Sequence, residues 1–234
     1  MKRIDPPVDL MVITAHPDDA EFGAAGTVAA WIREGKQVVY VVCTDGDKGT
    51  SDRNLTPQAL IGIRHREQRA ACKVLGVDEL VFLGYGDQTL EDTPEFRKDL
   101  VRQIRIYRPH TVITLDPYRR YLWHRDHRIC GQVVMDAVFP FARDHMAYPD
   151  FMKEGLEPHK VAQLLFFGAE DINYYSDIEA TFDQKLEALT CHASQIRDLG
   201  NGDLRTWLES RCRMLAKGSQ YKLAEAFHRV ELPG

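Results

Sequence analysis

Short β-branched and aliphatic runs alternate with helical segments over the first two-thirds of this 234-residue chain, and that alternation is what most narrows its fold. The strand-like runs are 9–14, 37–43, 79–83, 110–115 and 161–167. Between them lie helical stretches at 26–34, 56–75, 94–107 and 127–138. Gly35 stops the first of these. Thr56-Pro57 opens the second, with a capping side chain followed by proline at the first helical position. The third ends before Arg108-Pro109, because a residue preceding proline is steered away from helix. The run 37–43 is apolar throughout, as in a strand buried on both faces. Strands and helices joined in this order by short links build a parallel sheet covered on both sides. The expected fold class is therefore α/β: a three-layer α/β/α, Rossmann-like, mostly parallel sheet. In the order 3-2-1-4-5, strands one and four end side by side at the switch point, where open α/β sheets take their ligands. Residues 177–228 read as mostly helical, broken at Gly200-Asn201-Gly202 and around Gly218. Without repeats or a long linker, residues 1–234 read as one domain, with a core at about 8–170 and a helical segment at about 177–228.

Both converging strand ends carry metal-ligand chemistry. The first strand runs into His16-Pro17-Asp18-Asp19. Pro17 stiffens the turn, and the neighbouring side chains of Asp18 and Asp19 diverge. One carboxylate can bind a metal with His16 while the other faces a water. The fourth strand leads to His124-Arg125-Asp126-His127, and His127 supplies a third ligand. Three protein ligands leave an open position, the pattern of a catalytic zinc. A His-Pro-Asp-Asp turn that merely caps a helix is the bland alternative, and the second His/Asp cluster argues against it. If residues 124–127 turn helically, His124 and His127 share a face. His124 as an imidazolium then stabilises an oxyanion, with Asp126 bonded to its other nitrogen and raising its pKa.

These motifs, with Glu21-Phe22-Gly23 and Gly26-Thr27, resemble the PIG-L/LmbE-like zinc N-deacetylases. The resemblance runs through most of the chain: Thr44-Asp45-Gly46-Asp47-Lys48-Gly49, Arg64-x-x-Glu67, Leu75-Gly76-Val77, Leu83-Gly84-Tyr85-Gly86-Asp87, His192-x-Ser194-Gln195 and Tyr221-x-x-Ala224-Glu225-Ala226-Phe227. Gly86 is a departure, since the family more often has proline there. The resemblance implies Zn²⁺ on His16, Asp19 and His127, with Asp18 as general base and later acid. It also implies substrate contacts from Arg64 and Asp87, to hydroxyls or an anionic aglycone, and a site role for His192. Taken without the resemblance, Arg64 pairs with Glu67, Asp87 stabilises a turn, and His192 faces the core of a helix at 185–198. His₂Asp ligation also accepts Fe²⁺, Mn²⁺ or Co²⁺.

The implied reaction is removal of the N-acetyl group from an N-acetylglucosamine-type sugar or glycoconjugate. An amidase for another small N-acyl compound or a thiol-sugar conjugate is the enzymatic rival. A non-catalytic Rossmann-like binding module is the rival from another class. It is disfavoured because G-x-G-x-x-G is absent and Asp18, Asp19 and Glu21 would repel a pyrophosphate. Net charge is −5 without a basic stripe, which makes nucleic acid a poor partner. Arg119-Arg120, with Arg125 and Arg128, forms a local basic cluster able to attract an anionic substrate. The five cysteines lack zinc-finger spacing and read as reduced buried thiols, in keeping with a cytoplasmic setting. Residues 1–7 lack a signal peptide's apolar stretch, and no apolar run approaches the ~20 residues of a membrane span. The less periodic segment 140–158 reads as a loop beside the site, serving as a substrate lid or a homo-oligomer interface.

Overall fold

A computed structural model describes residues 5–121, 124–197, 199 and 203–234. The elements in chain order begin with β1 (Leu10–Thr14), α1 (Asp19–Gly23), α2 (Ala25–Arg33), β2 (Val38–Thr44), α3 (Pro57–Leu75), β3 (Glu79–Tyr85), α4 (Pro94–Tyr107), β4 (Thr111–Leu115) and α5 (Arg125–Val138). They continue with α6 (Pro149–Lys153), β5 (Gln163–Phe167), β6 (Tyr174–Asp177), α7 (Phe182–Thr190), α8 (Ala193–Ile196), α9 (Leu204–Leu215) and β7 (Ala224–Glu231). One sheet has the order β3-β2-β1-β4-β5-β7-β6. Its first five strands are parallel, with β1 between β2 and β4. Every residue of β1, β2 and β4 is buried, as continuous apolar runs require.

The start signals act as the residues dictate. Thr56 accepts a hydrogen bond from the Ala59 N–H at 3.2 Å, and Thr93 does the same for Phe96 at 3.1 Å. Helix begins earlier than expected after β1: α1 starts at Asp19, and a break at Ala24 separates it from α2.

Three expectations need correction beyond that point. Residues 224–231 form a strand, although Ala-Glu-Ala reads as helix. The strand β7 lies antiparallel between β5 and β6, and pairing on both edges overrides a weak local preference. The helix expected at 185–198 is two helices, α7 and α8, with Cys191 and His192 in the turn between them. Asp198 and the break at 200–202 lie outside the described residues, as do residues 1–4. The chain does leave helix near Gly218, which takes φ +95°. The segment 140–158 does not line the cavity described below. Buried Arg105 on α4 pins it, donating to the carbonyls of Ala142 (3.1 Å) and Asp144 (2.7 Å).

Gly131 lets α5 approach the end of β4. A Cβ there would lie 2.5 Å from the Leu115 carbonyl oxygen and 2.9 Å from Pro117 Cδ. Backbone cannot yield as a flexible side chain does. Gly131→Ala is expected to destabilise the fold by about 1–3 kcal/mol, read as a lowered urea midpoint with an unchanged slope.

Candidate active site

The turn after β1 is built around a strained residue. Asp18 sits at φ 101°, ψ −30°, a left-handed conformation that costs a non-glycine residue on the order of 1–3 kcal/mol. Helix α3 holds it there. The Asp18 N–H donates to Gln68 Oε1 at 3.0 Å, and Arg64 Nη2 donates to Asp18 Oδ2 at 3.2 Å and to the Pro17 carbonyl at 2.6 Å. Arg64 Nη1 also reaches the Gly46 carbonyl at 3.2 Å. This differs from the expected pairing with Glu67 on a surface: the buried guanidinium is engaged by the turn beside Asp18.

His16, Asp19 and His127 meet across the junction of β1 and β4. His16 Nδ1 lies 3.2 Å from His127 Nε2 and 3.4 Å from Asp19 Oδ2, and His127 Nε2 lies 3.0 Å from Asp19 Oδ1. Donors held about 2.0–2.1 Å from a tetrahedral Zn²⁺ are roughly 3.3 Å apart, and each of these pairs is near that spacing, with Asp19 meeting the two histidines through different oxygens. Burial works against charge on Asp19, but His127 and His16 outweigh it and hold its carboxyl well below the usual range.

The opposite edge of His16 faces a second group of donors formed with Asp87, His124 and Asp126. His16 Nε2 is 3.1 Å from Asp126 Oδ2, and that carboxylate also accepts from the N–H groups of Gln88 (2.7 Å) and Leu90 (3.3 Å). Asp126 is fully buried and its oxygens are occupied. It fixes the orientation of the His16 ring through Nε2 and leaves Nδ1 facing Asp19 and His127. The triangle, by contrast, opens on a cavity of about 210 Å³ whose walls include Asp19, His127, Phe22 and Phe167. The Nδ1 side of His16 is thus the side on which Asp19 and His127 reach the cavity. Burial works against a charged His16, but Asp126, Asp19 and Asp87 together hold its pKa well above the ordinary value. A cation entering the triangle displaces that proton.

The expected Asp126–His124 pairing is not found. His124 caps α5, with its Nδ1 accepting from the Asp126 N–H at 3.2 Å. That bond leaves the ring proton on Nε2, which lies 3.8 Å from Asp87 Oδ1. Burial lowers the His124 pKa, and the nearby His16 and His127 lower it further, against the expected rise. His124 thus has Nδ1 occupied by the backbone and Nε2 left to donate. It does come to the site: its ring meets His16 edge-on at 4.4 Å and stacks on His127 at 4.9 Å between centroids.

Asp87 is also buried. Its Oδ1 lies 3.2 Å from His16 Nε2, but the hydrogen bond of that nitrogen goes to Asp126, and among the described residues Asp87 Oδ1 has no hydrogen-bond partner. Burial opposes its ionisation, yet His16 and His124 draw it down to about 2. His192 does not enter the cavity. It is fully buried behind Asp18, with Nε2 3.0 Å from Glu21 Oε2. Gln68 Nε2 donates to the same carboxylate at 3.1 and 3.2 Å. Burial works against charge on His192, but Glu21 outweighs it and raises its pKa. For Asp18 itself, burial is the leading cause and Asp19 adds to it, lifting the carboxyl to about 6 against the pull of Arg64.

The sequence reading missed Gln68. Leu60, Arg64, Gln68, Cys72 and Leu75 line the buried face of α3, and two polar residues four apart on such a face were the available signal.

Residues 11–138 match the PIG-L family, described as GlcNAc-PI de-N-acetylase. The chain belongs to the PIG-L family. It is 35% identical over 190 residues to the diacetylchitobiose deacetylase of Thermococcus kodakarensis, covering 80% of this chain and 69% of that one. It is 30% identical over 191 residues to a probable N-acetyl-alpha-D-glucosaminyl L-malate deacetylase 2 of Bacillus anthracis, covering 80% of each. The solved structure of the N,N'-diacetylchitobiose deacetylase from Pyrococcus horikoshii superposes with a TM-score of 0.90 at 29% identity, covering 97% of this chain and 85% of that one. PIG-L deacetylases are metalloenzymes that act on amide bonds, and this chain has a His/Asp group suited to a metal. Among the described residues no helix is long and apolar enough to cross a membrane.

Proposed function

We infer that this protein is a Zn²⁺-dependent hydrolase that removes the N-acetyl group from an N-acetylglucosamine-type sugar or glycoconjugate. The observation that carries the reading is the His16–Asp19–His127 triangle, open to a cavity, with the strained carboxylate of Asp18 beside it. When bound, the cation supplies a Lewis acid for the acetamido carbonyl and a water of lowered pKa. Asp18 takes the proton from the attacking water and returns it to the leaving amine. Arg64 and Gln68 fix its position, and His192 acts behind it through Glu21. His124 offers its Nε2–H to the carbonyl oxygen as negative charge develops there. Asp126 holds the His16 ring through Nε2, and the Asp87 carboxylate beside it adds negative charge. We place the protein in the cytoplasm, a reading supported by five cysteines that form no disulfide, with Cys43 and Cys130 Sγ 3.8 Å apart.

The test is chelation and reconstitution. Exhaustive dialysis against EDTA is expected to abolish acetate release from N-acetylglucosamine and diacetylchitobiose, and one equivalent of Zn²⁺ to restore it. Full activity in metal-free protein would sink the reading. Metal binding without hydrolysis of either sugar, but with hydrolysis of a non-sugar or thiol-sugar amide, would move the substrate to that class.

A further inference from the structure

We infer that the cavity beside the His16–Asp19–His127 triangle contains a receptor for an anionic group of the substrate, formed by Arg119 and Arg211. The inference rests on the deacetylase reading and narrows it. The favoured substrates are glycosides bearing a carboxylate or phosphate on the part that lies beyond the scissile amide.

Arg119 comes from the loop after β4, and Arg211 from α9. Both line the same cavity as Asp19 and His127. Among the described residues neither guanidinium has a hydrogen bond or an ion pair, and Arg211 Nε is sealed from solvent without an acceptor. A buried donor left unpaired is costly and calls for an explanation. Arg211 is held by its own helix, with Cζ 5.9 Å from the Trp207 ring centroid. Arg119 is seated over Gly168, where a Cβ would come 4.0 Å from its Nη1. The acids on the cavity wall do not answer these cations. Asp19 belongs to the triangle, and Asp116 Oδ1 accepts from the Tyr118 N–H at 2.9 Å. Burial pushes the Arg211 guanidinium down, and the positive charge of Arg119 pushes the same way. Two cations thus share one cavity without a counter-ion, between the apolar walls of Phe22, Leu115 and Phe167. Arg119 is exposed and Arg211 half-buried, so low local polarity strengthens chiefly the pull of Arg211 on an anion, and guanidinium forks match carboxylate and phosphate oxygens.

The test uses zinc-loaded protein and three glucosides without an acetamido group, which this enzyme cannot hydrolyse: the methyl glucoside, one with an aglycone ending in a carboxylate, and one ending in phosphate. Calorimetric titration is expected to show at least one anionic glucoside binding roughly tenfold tighter than the neutral one. The larger advantage identifies the anion. In Arg119→Gln/Arg211→Gln the advantage is expected to fall below about twofold. In the wild type it should also shrink as salt rises from about 50 to about 500 mM, a readout that needs no variant. Equal binding of all three glucosides overturns the inference. So does an advantage that survives in the double variant, because the anion then sits on the metal, and so does one insensitive to salt. Acetate release from the matching N-acetylglucosaminides is recorded in parallel. If none is released while the arginine-dependent advantage holds, the deacetylase reading fails and the anion receptor stands.

Discussion

Asp18→Asn is expected to lower kcat for acetate release by about 10³-fold, within the range for loss of a general acid–base group, while about one equivalent of metal stays bound. Asparagine keeps the size of the side chain and can still accept from Arg64 Nη2, which lies 3.2 Å from Asp18 Oδ2 in the wild type. What it loses is the capacity to take a proton. The triangle formed by His16, Asp19 and His127 does not include residue 18, so elemental analysis should not distinguish the variant from the wild type. A second readout comes from pH. The Asp18 carboxyl is lifted to about 6, chiefly by burial, and a cation in the triangle draws it lower. The base must be ionised to act, so wild-type kcat holds above that pKa and falls as pH drops through about 6 or just below. The residual rate of Asp18→Asn should lack this acid limb. An unchanged kcat in the variant would remove Asp18 from the chemistry.

The largest expected loss of stability comes from a residue outside the cavity. Lys185 and Glu225 are both buried, and Lys185 Nζ lies 2.6 Å from Glu225 Oε1. Their remaining valences close a helix junction. Lys185 donates to the carbonyls of Glu21 (2.8 Å) and Phe22 (3.1 Å), at the end of α1. Glu225 accepts from the N–H groups of Gly26 (2.9 Å) and Thr27 (2.7 Å), at the start of α2. A cation sits at a helix C-terminus and an anion at a helix N-terminus, each where the backbone dipoles favour it. Lys185→Met should cost about 3–5 kcal/mol in urea unfolding, because it strands a buried carboxylate. Lys217→Met, at an exposed position, should stay within about 0.5 kcal/mol. If the two variants unfold at the same midpoint, the buried pair has no structural weight.

The parallel core was legible because its signals are local and strong. β-branched runs, the Thr-Pro helix starts and the stops before Arg108-Pro109 each fix an element without help from distant residues. The His/Asp motifs were legible because adjacency in the chain becomes convergence once β1 and β4 lie side by side. What escaped the reading depends on contacts between remote segments. Ala224-Glu225-Ala226-Phe227 becomes a strand only because β5 and β6 offer it two edges. Asp126 bonds His16 rather than His124 because the backbone of Gln88 and Leu90, from another loop, turns its carboxylate that way. Arg64 reads from sequence as a substrate contact or a partner of Glu67, and only the placement of the Asp18 turn against α3 shows what its guanidinium holds. His192 was assigned to a continuous helix, since nothing in the local pattern marks the turn at Cys191. Gln68 carries no motif, and only the tertiary position of Asp18 gives it a role.

The junction closed by Lys185 and Glu225 also sets an order on biosynthesis. A ribosome makes Asp18 and Asp19 early, yet the helix pair that follows them is capped by a residue 199 positions beyond Gly26. Until Glu225 has been synthesised and has cleared the exit tunnel, the amides of Gly26 and Thr27 lack their acceptor and Lys185 lacks its counter-ion. The Asp18 turn has its own anchors in Arg64 and Gln68 of α3, but the junction of α1 with α2 waits for the far end of the sheet. The α1–α2 junction is therefore completed only when residue 225 is in place.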